Sequence, residues 1–122
     1  MRIATVTPVY RNDVTPAERT SLTALHRILG RYERVLVAPP GIDAPAGFTF
    51  TTTLRFDASY FASVRAYSRL LLDDAFYAAL SGFDFILIYQ LDAYVFRDDL
   101  EEWARRGYDY VCLSYTSDAA DE

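Results

Sequence analysis

The sequence predicts a single doubly wound α/β domain, a mostly parallel five-stranded sheet with helices on both faces. Three observations lead there. Short β-rich runs alternate with helical patterns along the chain. Phe85-Ile86-Leu87-Ile88-Tyr89 is apolar without alternation, as a strand covered on both faces requires. The 122 residues, 52% hydrophobic and 24% charged, suffice for one core and leave little for a second.

Taken in order, Ile3 to Val9 reads as the first strand. Thr15-Pro16-Ala17-Glu18 is a capping box with proline at the first helical position, so a helix starts there. Leu22, Leu25, Ile28 and Leu29 follow at helical spacing, and Gly30 is placed to end the helix in a left-handed cap. His26, within a turn of Leu22 and Leu29, reads as a packed or flanking histidine. Arg34 to Ala38 is the second strand, and a loop punctuated by Pro39-Pro40-Gly41 runs to Gly47. Thr51 to Phe56, β-branched and aromatic, is the third strand. Tyr60, Val64, Tyr67 and Leu71 repeat at helical intervals; Asp73 and Asp74 cap a short helix carrying Phe76, Tyr77 and Leu80, which Ser81-Gly82 breaks.

Phe85 to Tyr89 is the expected central strand. Asp98 and Asp99 open a helix with Glu101 and Glu102 in its first turn and Arg105 and Arg106 in its last, the charge order that the helix dipole favours. Gly107 ends it. Tyr110 to Leu113 is the fifth strand, with Cys112 expected in the core, and 116–122 is a polar tail outside a domain spanning 1–115.

Composition narrows the chemistry. All 12 basic residues are Arg, so this chain offers no Schiff-base lysine, no Walker-type lysine and no receiver-domain lysine. One His and one Cys leave no Ser-His-Asp triad, Cys-His pair, zinc cluster or internal disulfide. A net charge of −5 argues against nucleic acid as a partner. The longest apolar stretch falls short of the roughly 20 residues of a membrane span, and no signal peptide is evident, so a cytoplasmic location is expected.

In a doubly wound sheet ligands bind beyond the carboxyl ends of the strands, where strand order reverses. With an order 3-2-1-4, the loops Pro8-Val9-Tyr10-Arg11-Asn12-Asp13 and Leu91-Asp92-Ala93-Tyr94 converge on one crevice. Asp92 emerges from the end of a buried strand, where an unpaired charge would be costly. It either caps the following turn or meets a ligand or metal; carboxylate oxygens without His or Cys suit Mg2+ or Mn2+ rather than zinc.

The segments Thr7-Pro8-Val9-Tyr10-Arg11-Asn12, Val35-Leu36-Val37-Ala38-Pro39, Arg55-Phe56-Asp57, Tyr60-Phe61 and Tyr67-Ser68-Arg69-Leu70-Leu71 form a series. It continues through Leu87-Ile88-Tyr89-Gln90-Leu91-Asp92-Ala93-Tyr94-Val95-Phe96-Arg97-Asp98 and Gly107-Tyr108-Asp109-Tyr110. The whole series resembles a glycosyltransferase-like family of unknown function associated with polysaccharide synthesis, with the Rossmann-like nucleotide-binding half of the GT-A fold. Tyr89 to Phe96 is the most specific part. The resemblance implies that Pro8, Val9, Tyr10 and Asn12 border the nucleoside of a sugar nucleotide. It implies that Asp92 matches the first acid of an Asp-x-Asp motif, with Tyr94 in place of the second; alternatively Gln90-Leu91-Asp92 is the motif with its first acid lost. Either way one acid remains, and a Mn2+ or Mg2+ ion held by it would be completed by water and phosphates.

Arg69 is expected either to neutralise the diphosphate through its guanidinium or to pair with Asp73 on the helix surface. Tyr10, Tyr89 and Tyr94 have rings able to stack on a base or sugar, and Tyr10 is assigned that role. The implied activity is transfer of a sugar from a nucleoside diphosphate sugar to a glycan acceptor hydroxyl. Similar proteins carry further sequence after the fifth strand for the acceptor half and the catalytic base. This chain is therefore expected to be a donor-binding half without a base, completed by a missing C-terminal half or an oligomeric partner. The alternative is a non-catalytic remnant or protein-interaction module on the same fold.

Overall fold

The computed structural model describes residues 2–92, 95, 97–107 and 110–113, the last four by their backbone. Its elements are β1 (Ile3–Pro8), α1 (Pro16–Leu29), β2 (Glu33–Ala38), β3 (Thr52–Arg55), a 3-10 turn (Ala58–Phe61), α2 (Val64–Leu71), α3 (Asp74–Ala78), β4 (Phe85–Tyr89), α4 (Leu100–Arg105) and β5 (Tyr110–Leu113). The strands form an all-parallel sheet in the order β3-β2-β1-β4-β5, in which β1 rather than the expected β4 is central. At the β4 edge the β5 backbone pairs parallel to Phe85–Tyr89, from Ile86 opposite Tyr110 to Tyr89 opposite Leu113.

Strand alternation divides the core between two faces. On one, Ile3, Phe85, Leu87 and Tyr89 pack against Leu22, Leu25 and Leu29 of α1 and Leu100 of α4. On the other, Ala4, Val6, Val35, Val37, Ile86 and Ile88 pack against Leu70 of α2 and Phe76 of α3. All five side chains of β4 are buried, which is why that segment reads as an unbroken apolar run.

The Thr15 capping box forms as expected: Thr15 Oγ1 accepts from the Glu18 N–H at 3.1 Å, and Glu18 Oε1 accepts from the Thr15 N–H at 2.8 Å. Three local expectations are corrected. Gly30 ends α1 in a right-handed conformation, φ −66°; glycine suits the site because a Cβ there would run into the His26 carbonyl. The helical pattern from Tyr60 to Leu71 is split in two because Asp57 caps the 3-10 turn and the Ser63 side chain, accepting from the Ala66 N–H, starts α2 afresh. At α4, Asp98 rather than Asp99 accepts a helical N–H, from Leu100 at 3.2 Å. Gly107, φ +89°, does end that helix in the left-handed region. The side chain of Cys112 and the tail 116–122 lie outside the described residues.

His26 is a packed histidine. Its ring nitrogens lie 2.9 Å from the carbonyl oxygens of Leu22 and Thr49, and its ring meets Phe48 and Phe50 at centroid distances of 5.2 and 5.8 Å. It fastens α1 to the segment leading into β3.

Candidate functional site

Strand order reverses between β1 and β4, so the crevice of a doubly wound sheet falls at their carboxyl ends. The last rung of β1 pairs Pro8 with Val37, and the Val9 N–H then donates to the Val37 carbonyl at 2.8 Å. This extra bond carries the chain straight past the strand and turns the Val9 side chain into a small cluster with Leu36 and Ala38. Leu91 from the loop after β4 and Ile42 from the loop after β2 pack on the same cluster. Three loops thus meet over one apolar base.

Tyr10 is 53% exposed and Asp92 is exposed in the turn after β4. The crevice keeps an acid and a phenol at its mouth. Val9 serves it from below through packing.

Arg11 and Arg55 brace the walls, and neither is marked as such by sequence. Arg11 Nη2 donates to both carboxylate oxygens of Glu18, at 2.9 and 2.8 Å, while its guanidinium carbon lies 5.3 Å from the Tyr10 ring centre. The charge of Glu18, foremost, holds the Arg11 pKa above its ordinary value. The loop after β1 is thereby locked to the capping box of α1. Arg55, the last residue of β3, donates to the carbonyls of Pro39 (2.8 Å) and Ile42 and to Asp43 Oδ1 at 3.0 Å. The Asp43 N–H lies 3.4 Å from Asn12 Oδ1, a long bond that links the second loop to the first. The one available sequence signal was the capping glutamate so near a loop arginine.

Other expected site residues fall differently. Tyr89 is fully buried and offers no face for stacking. Arg69 is exposed in the last turn of α2, on the sheet face opposite α1. Its expected pairing with Asp73 is replaced: Asp73 accepts from the Ala75 N–H at 2.8 Å and the Tyr60 hydroxyl at 3.2 Å. That bond to Asp73 raises the Tyr60 pKa, with the Arg69 charge acting the other way. Tyr94 lies outside the described residues. Among the described residues no group of three or more His, Cys, Asp or Glu side chains is arranged to hold a metal.

A cavity of about 500 Å³ opens at the opposite, amino end of the strands, beside Arg2, Glu33, Arg31, Tyr32 and Glu101. Its arginines are paired, Arg2 with Glu33 at 3.0 Å and Arg31 with Asp98 and Glu101 at 2.8 and 3.0 Å. Burial and the hydrogen bond to Asp98 push the Tyr32 phenol far up. Partial burial works against the Asp98 carboxylate, but hydrogen bonds from Tyr32, Arg31 and the Leu100 N–H outweigh it and hold its pKa below the ordinary value. This end is a mutually satisfied tie between α1, β2 and α4.

A parallel α/β protein whose loops after β1, β2 and β4 meet over one apolar base at its topological switch is the class that fold and site define. The chain belongs to the DUF5672 family of proteins of unknown function, whose sequence pattern matches residues 50–120. No curated protein and no solved structure matches it. Among the described residues, no helix is long and apolar enough to cross a membrane.

Proposed function

We propose that this chain is the donor-binding half of a GT-A-type glycosyltransferase that grips a nucleoside diphosphate sugar in the crevice between β1 and β4. The observation that carries this reading is the exposure of both Tyr10 and Asp92, each the neighbour in sequence of a residue, Val9 or Leu91, that packs into one shared apolar base. Tyr10 offers a face to the base or sugar, and Pro8 and Asn12 border the nucleoside. Asp92 is a hard oxygen ligand able to hold Mn2+ or Mg2+, which would supply positive charge at the diphosphate. The sugar is transferred to an acceptor hydroxyl with the nucleoside diphosphate as leaving group; the acceptor half and the base come from outside the crevice.

Calorimetric titration with UDP- and GDP-sugars, with and without Mn2+, tests this. Saturable binding to the wild type is expected, weakened about tenfold or more in Asp92→Asn and severalfold in Tyr10→Ala, the scale of one charged contact and one stacking face. Absence of saturable binding under every condition would overturn the proposal.

A second reading, a protein-interaction module, draws on the 84% exposure of Val64, the first residue of α2, and the 81% exposure of Leu72, which follows its last. Mass measurement across a concentration series separates the two: an oligomer indifferent to sugar nucleotides supports the module.

A further inference from the structure

β4 is hydrocarbon from Phe85 to Ile88 and ends on a phenol with no exposed surface. A phenylalanine would fill the same core volume, so the hydroxyl needs its own explanation. It donates to the Ser21 carbonyl at 2.9 Å and accepts from Ser21 Oγ at 3.1 Å and from the Val95 N–H at 3.3 Å. Among the described residues the hydroxyl thus both donates and accepts.

The Val95 bond closes a loop. The backbone leaves the sheet at Tyr89, and Val95, six residues on, is caught by the side chain of the residue it left. Asp92 lies between these two residues in sequence. Val95 is itself buried in the α1-side core, so the returning end is held by packing as well as by the hydroxyl. The Ser21 bonds tie the same phenol to α1, the helix whose capping box holds Arg11 and hence the loop carrying Tyr10. One buried hydroxyl therefore touches the structure behind both walls of the crevice.

We propose that the Tyr89 hydroxyl is a positioning group: it ties Val95 to α1 and thereby fixes Asp92 relative to Tyr10 for ligand binding. The ligand-binding part of this claim rests on the donor-binding reading above. The ring of Tyr89 contributes to the core, and the hydroxyl contributes to the site.

Tyr89→Phe removes the hydroxyl and keeps the ring. Amide hydrogen exchange at Val95 is expected to rise about tenfold, the scale of one net hydrogen bond, while exchange in Ile3–Pro8 and Glu33–Ala38 stays at wild-type values. With UDP and GDP as probes, Tyr89→Phe is expected to weaken affinity about tenfold in the wild-type background and to add nothing in the Asp92→Asn background, because it acts through Asp92. Ser21→Ala, which leaves the Ser21 carbonyl and the Val95 bond in place, is expected to have a smaller effect on both readouts. Unchanged Val95 exchange, exchange raised uniformly across the sheet, or an affinity loss that persists beside Asp92→Asn would overturn the proposal. Should the wild type bind neither UDP nor GDP, the donor-binding reading falls with the ligand-positioning part of this claim, and Val95 exchange alone decides whether the hydroxyl holds the loop.

Discussion

Thr5 and Thr7 lie on the central strand with their hydroxyls buried and, among the described residues, without a hydrogen-bond partner. Alternation puts both on the α1 side of the sheet, with Ile3. Leaving a hydroxyl unpaired in such a place costs about 1–3 kcal/mol, whereas valine has nearly the same shape and no such cost. Thr5→Val and Thr7→Val are each expected to raise the free energy of unfolding by about 1 kcal/mol in urea titrations. A loss of stability of that size in either variant would show that the hydroxyl has a partner. Gly30 makes the opposite case. With φ at −66° its backbone is ordinary, yet a Cβ would strike the His26 carbonyl, so Gly30→Ala is expected to destabilise despite alanine's better helix propensity.

Between elements, the Tyr32–Asp98 bond joins the turn before β2 to the start of α4, and its pH dependence follows from two opposite shifts. Asp98 is held below its ordinary pKa, so its contribution is present above the unfolded carboxylate value of about 4 and is lost as pH falls through the lower folded value. Tyr32 is pushed above its ordinary pKa, so its contribution is present below about 10 and is lost as pH rises through the higher folded value. Tyr32→Phe is expected to cost about 1 kcal/mol at neutral pH and to flatten the alkaline limb of a melting-temperature profile. An unchanged alkaline limb would contradict the assignment. Much at this scale was legible in the sequence, because strands, capping boxes and helix-ending glycines are written in neighbouring residues: Thr15 with Glu18, Asp73 before α3, Gly107 after α4. The apposition of the loops after β1 and β4 was legible too, once the order 3-2-1-4 was assumed. The bracing was not. Ser21 and Tyr89 are 68 residues apart, and nothing local to either names the other. Arg55 reads as one more β3 residue until the Pro39–Asp43 loop folds back onto it. Serine 63 was passed over because the apolar repeat ran on through it, although its side chain begins a new helix.

Across the whole molecule, the sheet order dictates a gradient of protection. β1 has a partner strand on each side and buried residues from Ile3 to Thr7, and β4 is buried throughout, so opening either strand requires separating layers on both faces. β3 lies at the edge with one neighbour, and Thr52, Thr53 and Arg55 are exposed. Edge amides open by local fluctuation, whereas central amides exchange only when most of the core is disrupted. Native-state hydrogen exchange is therefore expected to show the slowest amides in β1 and β4, β2 close behind, and β3 faster by about tenfold or more, corresponding to an opening free energy lower by at least about 1.4 kcal/mol. Equal protection in β3 and β1 would mean that β3 is covered by something beyond this chain or that the order is different. In the second case β1 and β4 need not be neighbours, and the crevice that brings Tyr10 to Asp92 would lose its foundation.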